Sequence, residues 1–348
     1  MGKRSDLGAS WSHVVQTWFL GQPTTIAEDQ GWLALGTLER LAPERIDELN
    51  QLPTSFPLLM SRAIRLGLDL ALCEPCTGFE RVLARARKGE RSAISEIMWG
   101  ALLIRAGYSI ELEPAVGTRR ADTLIATEHG NVYAELIAPG MSKETTQKLE
   151  AMRVLAERVR LVSPRIRLEL HLSKDPREVD VDELLPCVEN ALRRRQSGSV
   201  QLAVGAARWQ AFRPQASWIG SVSPSTDLAR FGVVSFSLGH PDSCLVNVTA
   251  DISDARIERM VYKKGRQLNR DEANLLVLDA AGVAGSRGEW DPLVRRRFQP
   301  DRNTRFGAVV MLHENCEQHE LRLVASVVRN PYARREIPAS LVEALKRT

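Results

Sequence analysis

Three acidic residues, Glu96, Asp122 and Glu135, frame the stretch of this chain whose residue types can do chemistry. Glu96 lies in an apolar-periodic segment that predicts a helix over 92–106, ended by Gly107. Three short strand-like runs follow, at 108–113, 121–127 and 132–137. Asp122 opens the second run and Glu135 sits inside the third. The turn His129-Gly130-Asn131 between those two runs can bring the carboxylates together. Clustered carboxylates are what a hard divalent cation such as Mg²⁺ requires, and such a centre can hydrolyse a phosphodiester.

Each acid also has a plainer reading. Glu96 can lie on a solvated helix face, and Asp122, near a strand start, can cap or pair with Arg119. Glu135 is harder to dismiss, because it falls between Tyr133 and Ile137 on one face of a run that reads as buried. A carboxylate there needs a metal, an arginine or a raised pKa, since burying an unpaired charge is costly.

The elements around these residues alternate in type. Residues 11–88 read mostly as helix, with Pro43 at the first turn of one segment, a loop between Pro53 and Pro57, and a short helix from Phe79 to Arg87. Beyond the three strands, the pattern predicts a helix over 142–159 and a strand over 165–172 that alternates Ile166, Leu168, Leu170 and Leu172 with polar residues. A helix over 181–195 ends in Arg193-Arg194-Arg195, where positive charge complements the helix dipole. Strands are expected at 200–204, 218–222, 232–238 and 245–249, a helix at 254–268, then strands at 274–279, 306–312 and 321–328 and a last helix at 338–346. The run Leu275-Leu276-Val277-Leu278 is continuously apolar, the mark of burial on both faces. This alternation predicts an α/β fold around a mixed sheet.

The order helix with Glu96, strand, strand with Asp122, strand with Glu135, helix, strand resembles the core of the PD-(D/E)XK, or restriction-endonuclease-like, nuclease superfamily, over roughly 79–172. The resemblance implies a restriction-endonuclease-like mixed sheet flanked by helices, preceded by an N-terminal helical accessory region over 1–78, with the α/β domain over 79–348. It implies that Asp122 and Glu135 hold Mg²⁺ or Mn²⁺, with Glu96 completing or orienting the site. It implies an endonuclease acting on DNA, or RNA, in a bacterial defence, mobile-element or repair setting, and a homo-oligomer or partner protein met through the N-terminal helices. Two positions depart from the pattern: Arg120-Ala121 stands where a proline often precedes the aspartate, a tolerated change, and the family's lysine belongs two residues after Glu135, where Ile137 stands. Lys143 and Lys148 on the next helix are the expected substitutes, with Lys263 or Lys264 on a later helix as the other source; Lys263-Lys264-Gly265 before the buried strand 274–279 is itself similar to a basic helix and strand of some members. Arg119 or Arg120 can stabilise a phosphate but not act as a base, because arginine stays protonated. The alternative reading is a nuclease fold without catalysis that binds nucleic acid or serves as an assembly subunit.

Composition narrows the field from the other side. The chain has 348 residues, 44% of them hydrophobic, enough for one large or two ordinary domains with a sizeable core. No apolar run is long enough for a membrane span and no signal peptide is read at the N-terminus. Five scattered cysteines fit a reducing cytoplasm, and Cys73-Glu74-Pro75-Cys76 has no matching second pair for a structural zinc site. The net charge of +4 is concentrated after Ala255, where 18 Lys+Arg face 12 Asp+Glu, a distribution able to face nucleic acid or simply solvent. Trp209 and Phe212 with Arg208 and Arg213 can stack on bases, although packing is the commoner fate of such aromatics. The phosphate loop of NTPases, the His-Glu-x-x-His zinc motif and the nucleophile elbow of hydrolases do not occur.

Overall fold

The computed structural model describes residues 28–44, 57–117, 119–139, 143–162, 166–192, 197–211, 233–240, 244–251, 256–265, 268, 271–279, 291–292, 294–317 and 320–347. By their contacts these divide into two compact units. The first takes those up to Pro139, those within Arg256–Gly282 and those from Asp291 onward; the second takes those within Gly140–Ala255. The division therefore falls elsewhere than at residue 78, and the N-terminal helices belong with the sheet that carries the acidic residues.

The first unit is built on a mixed six-stranded sheet. Its strands are β1 (Ser109–Leu112), β4 (Thr123–Thr127), β5 (Gly130–Ile137), β11 (Ala273–Asp279), β12 (Ala308–Glu317) and β13 (Glu320–Arg329), hydrogen-bonded in that order. A two-stranded ribbon, β2 (Ala115–Val116) and β3 (Arg119–Arg120), projects between β1 and β4. β1, β4 and β5 form an antiparallel meander, β11 lies parallel to both β5 and β12, and β13 returns antiparallel to β12. Leu275, Leu276, Val277 and Leu278 are all fully buried, as a central strand with both faces covered demands.

One face of the sheet carries the larger core. Val132, Ala134 and Leu136 of β5 and Leu275 and Val277 of β11 pack in one cluster with Trp99, Leu102 and Leu103 of α4 (Arg91–Arg105) and with Leu341, Val342 and Leu345 of α8 (Ala339–Arg347). The period of two sends Tyr133, Glu135 and Ile137 to the other face. That face meets α7 (Arg256–Gly265), which contacts β5 and β11.

A second cluster joins α1 (Glu28–Leu41), α2 (Pro57–Cys73), α3 (Phe79–Arg87) and the first half of α4 through Leu35, Leu38, Leu70, Phe79, Val82 and Ile97. Asp69 of α2 is wholly buried and pairs with Arg105 at the end of α4 and with Arg65 one turn back at 3.3 Å. Removing one partner of such a pair strands a buried charge, so it fixes α2 against α4.

The second unit holds a separate five-stranded sheet ordered β7 (Ser197–Leu202), β8 (Gly205–Ala211), β6 (Ile166–Leu172), β10 (Cys244–Asp251), β9 (Val233–His240). Helices α5 (Lys143–Val162) and α6 (Val181–Leu192) belong to the same unit, and Met152, Leu155, Val159 and Val188 pack with Leu168, Leu170, Val246 and Val248. The helix and strand expected after Glu135 are present, but they do not extend the sheet that carries it. α5 and β6 are local neighbours of β5 in sequence, but β6 pairs with β8 and β10 and not with β5. The helix and strand that extend the first sheet are α7 and β11, reached after the whole second unit has been threaded. Trp209, considered above as a stacking surface, is buried in the second unit's core; Phe212, Arg213, the arginine run 193–195 and the strand expected at 218–222 lie outside the described residues. Among the described residues no helix is long and apolar enough to cross a membrane.

Two glycines of the N-terminal helices test this packing with opposite signs. A Cβ on Gly67 of α2 would lie 2.2 Å from the Ala34 carbonyl oxygen of α1, whereas one on Gly36 of α1 would meet nothing within 4 Å. Gly67→Ala is expected to destabilise the first unit by about 1–3 kcal/mol through overpacking. Gly36→Ala is expected to stabilise it by up to about 1 kcal/mol through helix propensity. Denaturant unfolding of the two variants checks both; a loss at Gly36 or a gain at Gly67 contradicts the packing of α1 on α2.

Candidate active site

The β4–β5 register decides where the two strand acids stand. Thr123 pairs with Ala134, so one step further places Asp122 across from Glu135. The backbone N–H of Leu136 donates to Asp122 Oδ2 at 2.6 Å, which ties the aspartate to the strand that carries the glutamate. Both carboxylates reach the same cation. Lys264 Nζ donates to Glu135 Oε2 at 2.9 Å and lies 3.9 Å from Asp122 Oδ2. The side chains of Glu135 and Asp122 are 14% and 23% exposed, so both carboxylates have lost most but not all of their contact with water.

Lys264 arrives because α7 packs on the Glu135 face of the sheet. It occupies the last turn of α7, where a positive charge is favourable against the helix dipole. Burial alone would lower its pKa, but the attraction of Asp122 and Glu135 outweighs burial and holds it above the ordinary lysine value. The amine is therefore an ammonium at neutral pH. Ile137, at the position of the expected strand-borne lysine, is buried at 3% exposure.

Glu96 comes to the same neighbourhood from α4. It is 2% exposed, and Arg85 of α3 donates to its Oε2 at 2.5 Å. Arg85 also contacts Glu113 Oε1 at 2.8 Å, and Arg81 closes the network on Glu113 Oε2 at 3.0 Å. Burial, together with the nearby negative charge of Asp122, pushes the Glu96 carboxyl up to about 7 in spite of Arg85. Glu135 is raised as well, by burial first and Asp122 second, against the pull of Lys264 and Arg119. Asp122 is thus the charge that both glutamates feel. Arg119, on the β2–β3 ribbon, is close enough to Glu135 to influence its ionisation. Arg120 instead donates to the Glu113 carbonyl at 2.8 Å.

The other two candidate lysines belong to the second unit. Lys148 Nζ lies 3.1 Å from Glu144 and 3.4 Å from Asp175, and Lys143 is exposed at the start of α5. Lys263, next to Lys264, is exposed too. The Cys73–Cys76 pair carries no sign of thiolate chemistry: Cys73 is fully buried and donates to the Ile97 carbonyl at 3.4 Å, and burial drives both thiols upward in pKa. Reactive and metal-binding thiols need the opposite shift.

Among the described residues no group of three or more His, Cys, Asp and Glu side chains converges so as to hold a metal ion. The geometry says why: Glu96 is turned to Arg85, leaving the facing pair Asp122 and Glu135. That pair still fits Mg²⁺, which is commonly held by one or two carboxylates with the remaining positions left to water and substrate phosphate. Comparison with protein-family models, curated proteins and solved structures finds no significant match.

The Glu96 carboxyl makes stability depend on pH with a definite sign. Its proton is held to about pH 7 in the folded chain, against an ordinary value of 4.5. Between those values the folded state binds more protons than the unfolded one, so the contribution is full at low pH and is lost as pH rises through the window. Glu96→Gln removes this titration. Relative to wild type, the variant should gain on the order of 2–3 kcal/mol on moving from pH 5 to pH 8. Unfolding at both pH values measures it; a difference that does not change with pH contradicts the assignment.

Proposed function

We propose that the first unit is a metal-dependent phosphodiesterase of restriction-endonuclease-like type, acting on nucleic acid. The observation that supports this best is the shared ammonium: Lys264 lies 2.9 Å from Glu135 and 3.9 Å from Asp122, so an aspartate, a glutamate and a lysine meet although the lysine is missing from the strand. The order α4, β1, β4, β5, α7, β11 supports the same reading, with β11 parallel to β5 and the second unit inserted between β5 and α7.

In this reading Asp122 and Glu135 hold a Mg²⁺ or Mn²⁺ ion. When bound, the ion supplies Lewis-acid polarisation of the phosphate and a more acidic water. Lys264, protonated at neutral pH, opposes the charge that builds on the phosphate and does not accept a proton. Glu96, with a carboxyl near pH 7, can exchange a proton under the conditions in which the reaction runs. Arg119, exposed and close enough to Glu135 to lower its pKa, adds positive charge where a phosphate oxygen would lie.

One observation favours a second reading, a nuclease-like fold that binds nucleic acid without cutting it. Glu96 is already engaged by Arg85 at 2.5 Å and does not converge with the other two acids. Cleavage separates the two. Wild-type protein with Mg²⁺ or Mn²⁺ is expected to cut plasmid or single-stranded DNA or RNA. Asp122→Asn, Glu135→Gln and Lys264→Met should each lower the rate by about 100-fold or more. Lys263→Ala and Lys143→Ala should stay within about threefold of wild type, as changes at exposed positions away from the reacting atoms do. Equal traces in wild type and Glu135→Gln, or equal loss at Lys263 and Lys264, would overturn the catalytic reading.

A further inference from the structure

Helix α7 carries a second feature one residue beyond Lys264. Tyr262 and Gly265 line a cleft of about 210 Å³ whose other wall is formed by Asp301, Arg302, Asn303, Arg305 and Arg334. Three arginines and one aspartate thus line one opening, and one of them, Arg305, also donates to the Leu268 carbonyl at 3.3 Å. Arg302 and Arg334 are exposed, Asn303 and Arg305 are half-buried, and Tyr262 is 44% exposed. Asp301 does not cancel this charge: it lies 3.8 Å from Arg302 with both side chains largely in solvent, where such a pair is weak.

The cleft is braced rather than left to loop motion. Asn330, 6% exposed, donates from Nδ2 to the carbonyls of both Asn303 and Phe306. Asn303 holds a left-handed backbone at φ 58° and donates to the Arg297 carbonyl, while the Arg334 N–H donates to Thr304 O at 2.9 Å. Against this wall α7 sits close: a Cβ on Gly265 would come within 2.7 Å of the Phe306 ring. The same approach that fixes the end of α7 for Lys264 therefore shapes the cleft.

We propose that this cleft seats one phosphodiester unit of a single nucleic-acid strand, with Arg302, Arg305 and Arg334 on the phosphate and Tyr262 against the base. Planar guanidinium groups match phosphate oxygens, and an aromatic beside them gives any base a stacking face. A single strand fits better than a duplex, because a flexible strand can bring one phosphate to the half-buried Arg305 as well as to the exposed Arg302 and Arg334, whereas a duplex presents its phosphates on a convex surface and meets the exposed arginines alone. This assignment deepens the phosphodiesterase reading and rests on it for its purpose, since α7 would then place the substrate strand and the ammonium of the site together. Binding itself needs neither metal nor cleavage.

The test is a fluorescence-anisotropy titration of a labelled single-stranded oligonucleotide in EDTA, repeated over a range of salt, with a duplex of the same length beside it. The double variant Arg302→Ala/Arg334→Ala should bind the single strand at least tenfold more weakly than wild type. Its slope of log affinity against log salt should be shallower by about 0.7 for each phosphate that is no longer neutralised. Tyr262→Ala should weaken binding at least fivefold. Arg153→Ala/Arg158→Ala, which removes equal charge from exposed positions on α5, should bind as wild type does, and thermal melts should show all of them folded. No binding by wild type, equal affinity in the cleft and α5 variants, or a preference for the duplex overturns the proposal. Lys264→Met separates its failure from that of the catalytic reading. Weakened binding in the cleft variants with no cutting by any protein leaves the cleft standing and removes the activity. Loss of cutting in Lys264→Met with unchanged binding in the cleft variants does the reverse.

Discussion

A carboxylate that has lost most of its water must find a positive charge, and in this chain Glu135 finds Lys264. The pair makes chemical sense of an otherwise costly choice, a glutamate in the middle of a strand whose neighbours Ala134, Leu136 and Ile137 are buried. Asp122 sharpens the demand, because a second negative charge across the register raises the Glu135 pKa and would raise it further without the ammonium. The position of α7 follows from this need. Its last turn must lie over the face of β5 that the main core does not use, and the close approach of Gly265 to Phe306 sets how near it comes. The parallel β11 then follows α7 back into the sheet beside β5.

Glu96 answers the same problem differently. It too is buried beside Asp122, but its partner is a guanidinium, and Arg85 is shared with Glu113. The cation does not bring the Glu96 carboxyl back to its ordinary range, so burial outweighs the ion pair. The acidic cluster is accordingly two arrangements side by side, one closed by Arg85 and Arg81 and one shared by Lys264 between two carboxylates.

Much of this was legible in the sequence because it is local. The α4 helix, the three strands of the meander and the Asp122–Glu135 juxtaposition each depend on periodicity and on one turn, and Phe79–Arg87 forms a helix with the bounds its pattern predicts. The absence of lysine at 137 was visible as well, and Lys264 stood among the alternative donors. What local pattern does not carry is which later helix returns to the sheet. α5 and β6 follow Glu135 in the expected order, yet they serve their own core. One signal did distinguish the strands. Leu275 to Leu278 is apolar without interruption, as a strand flanked by parallel neighbours must be, whereas β6 alternates as a strand with one covered face does. That difference in pattern points to α7, and so to Lys264, rather than to Lys143 and Lys148. The ribbon β2–β3 and strand β8 left no comparable trace, being too short or too interrupted by alanine to stand out.

Metal binding by the first unit requires Asp122 and Glu135 to act as one cation-binding pair. Titration of Mn²⁺ into the protein, with free ion followed by electron paramagnetic resonance, tests this without reference to any substrate. The wild type should take up about one Mn²⁺ per chain, and Glu135→Gln should bind it at least tenfold more weakly, because one of the two oxygen donors has lost its charge. Failure of the wild type to take up Mn²⁺, or uptake that Glu135→Gln leaves unchanged, would contradict it.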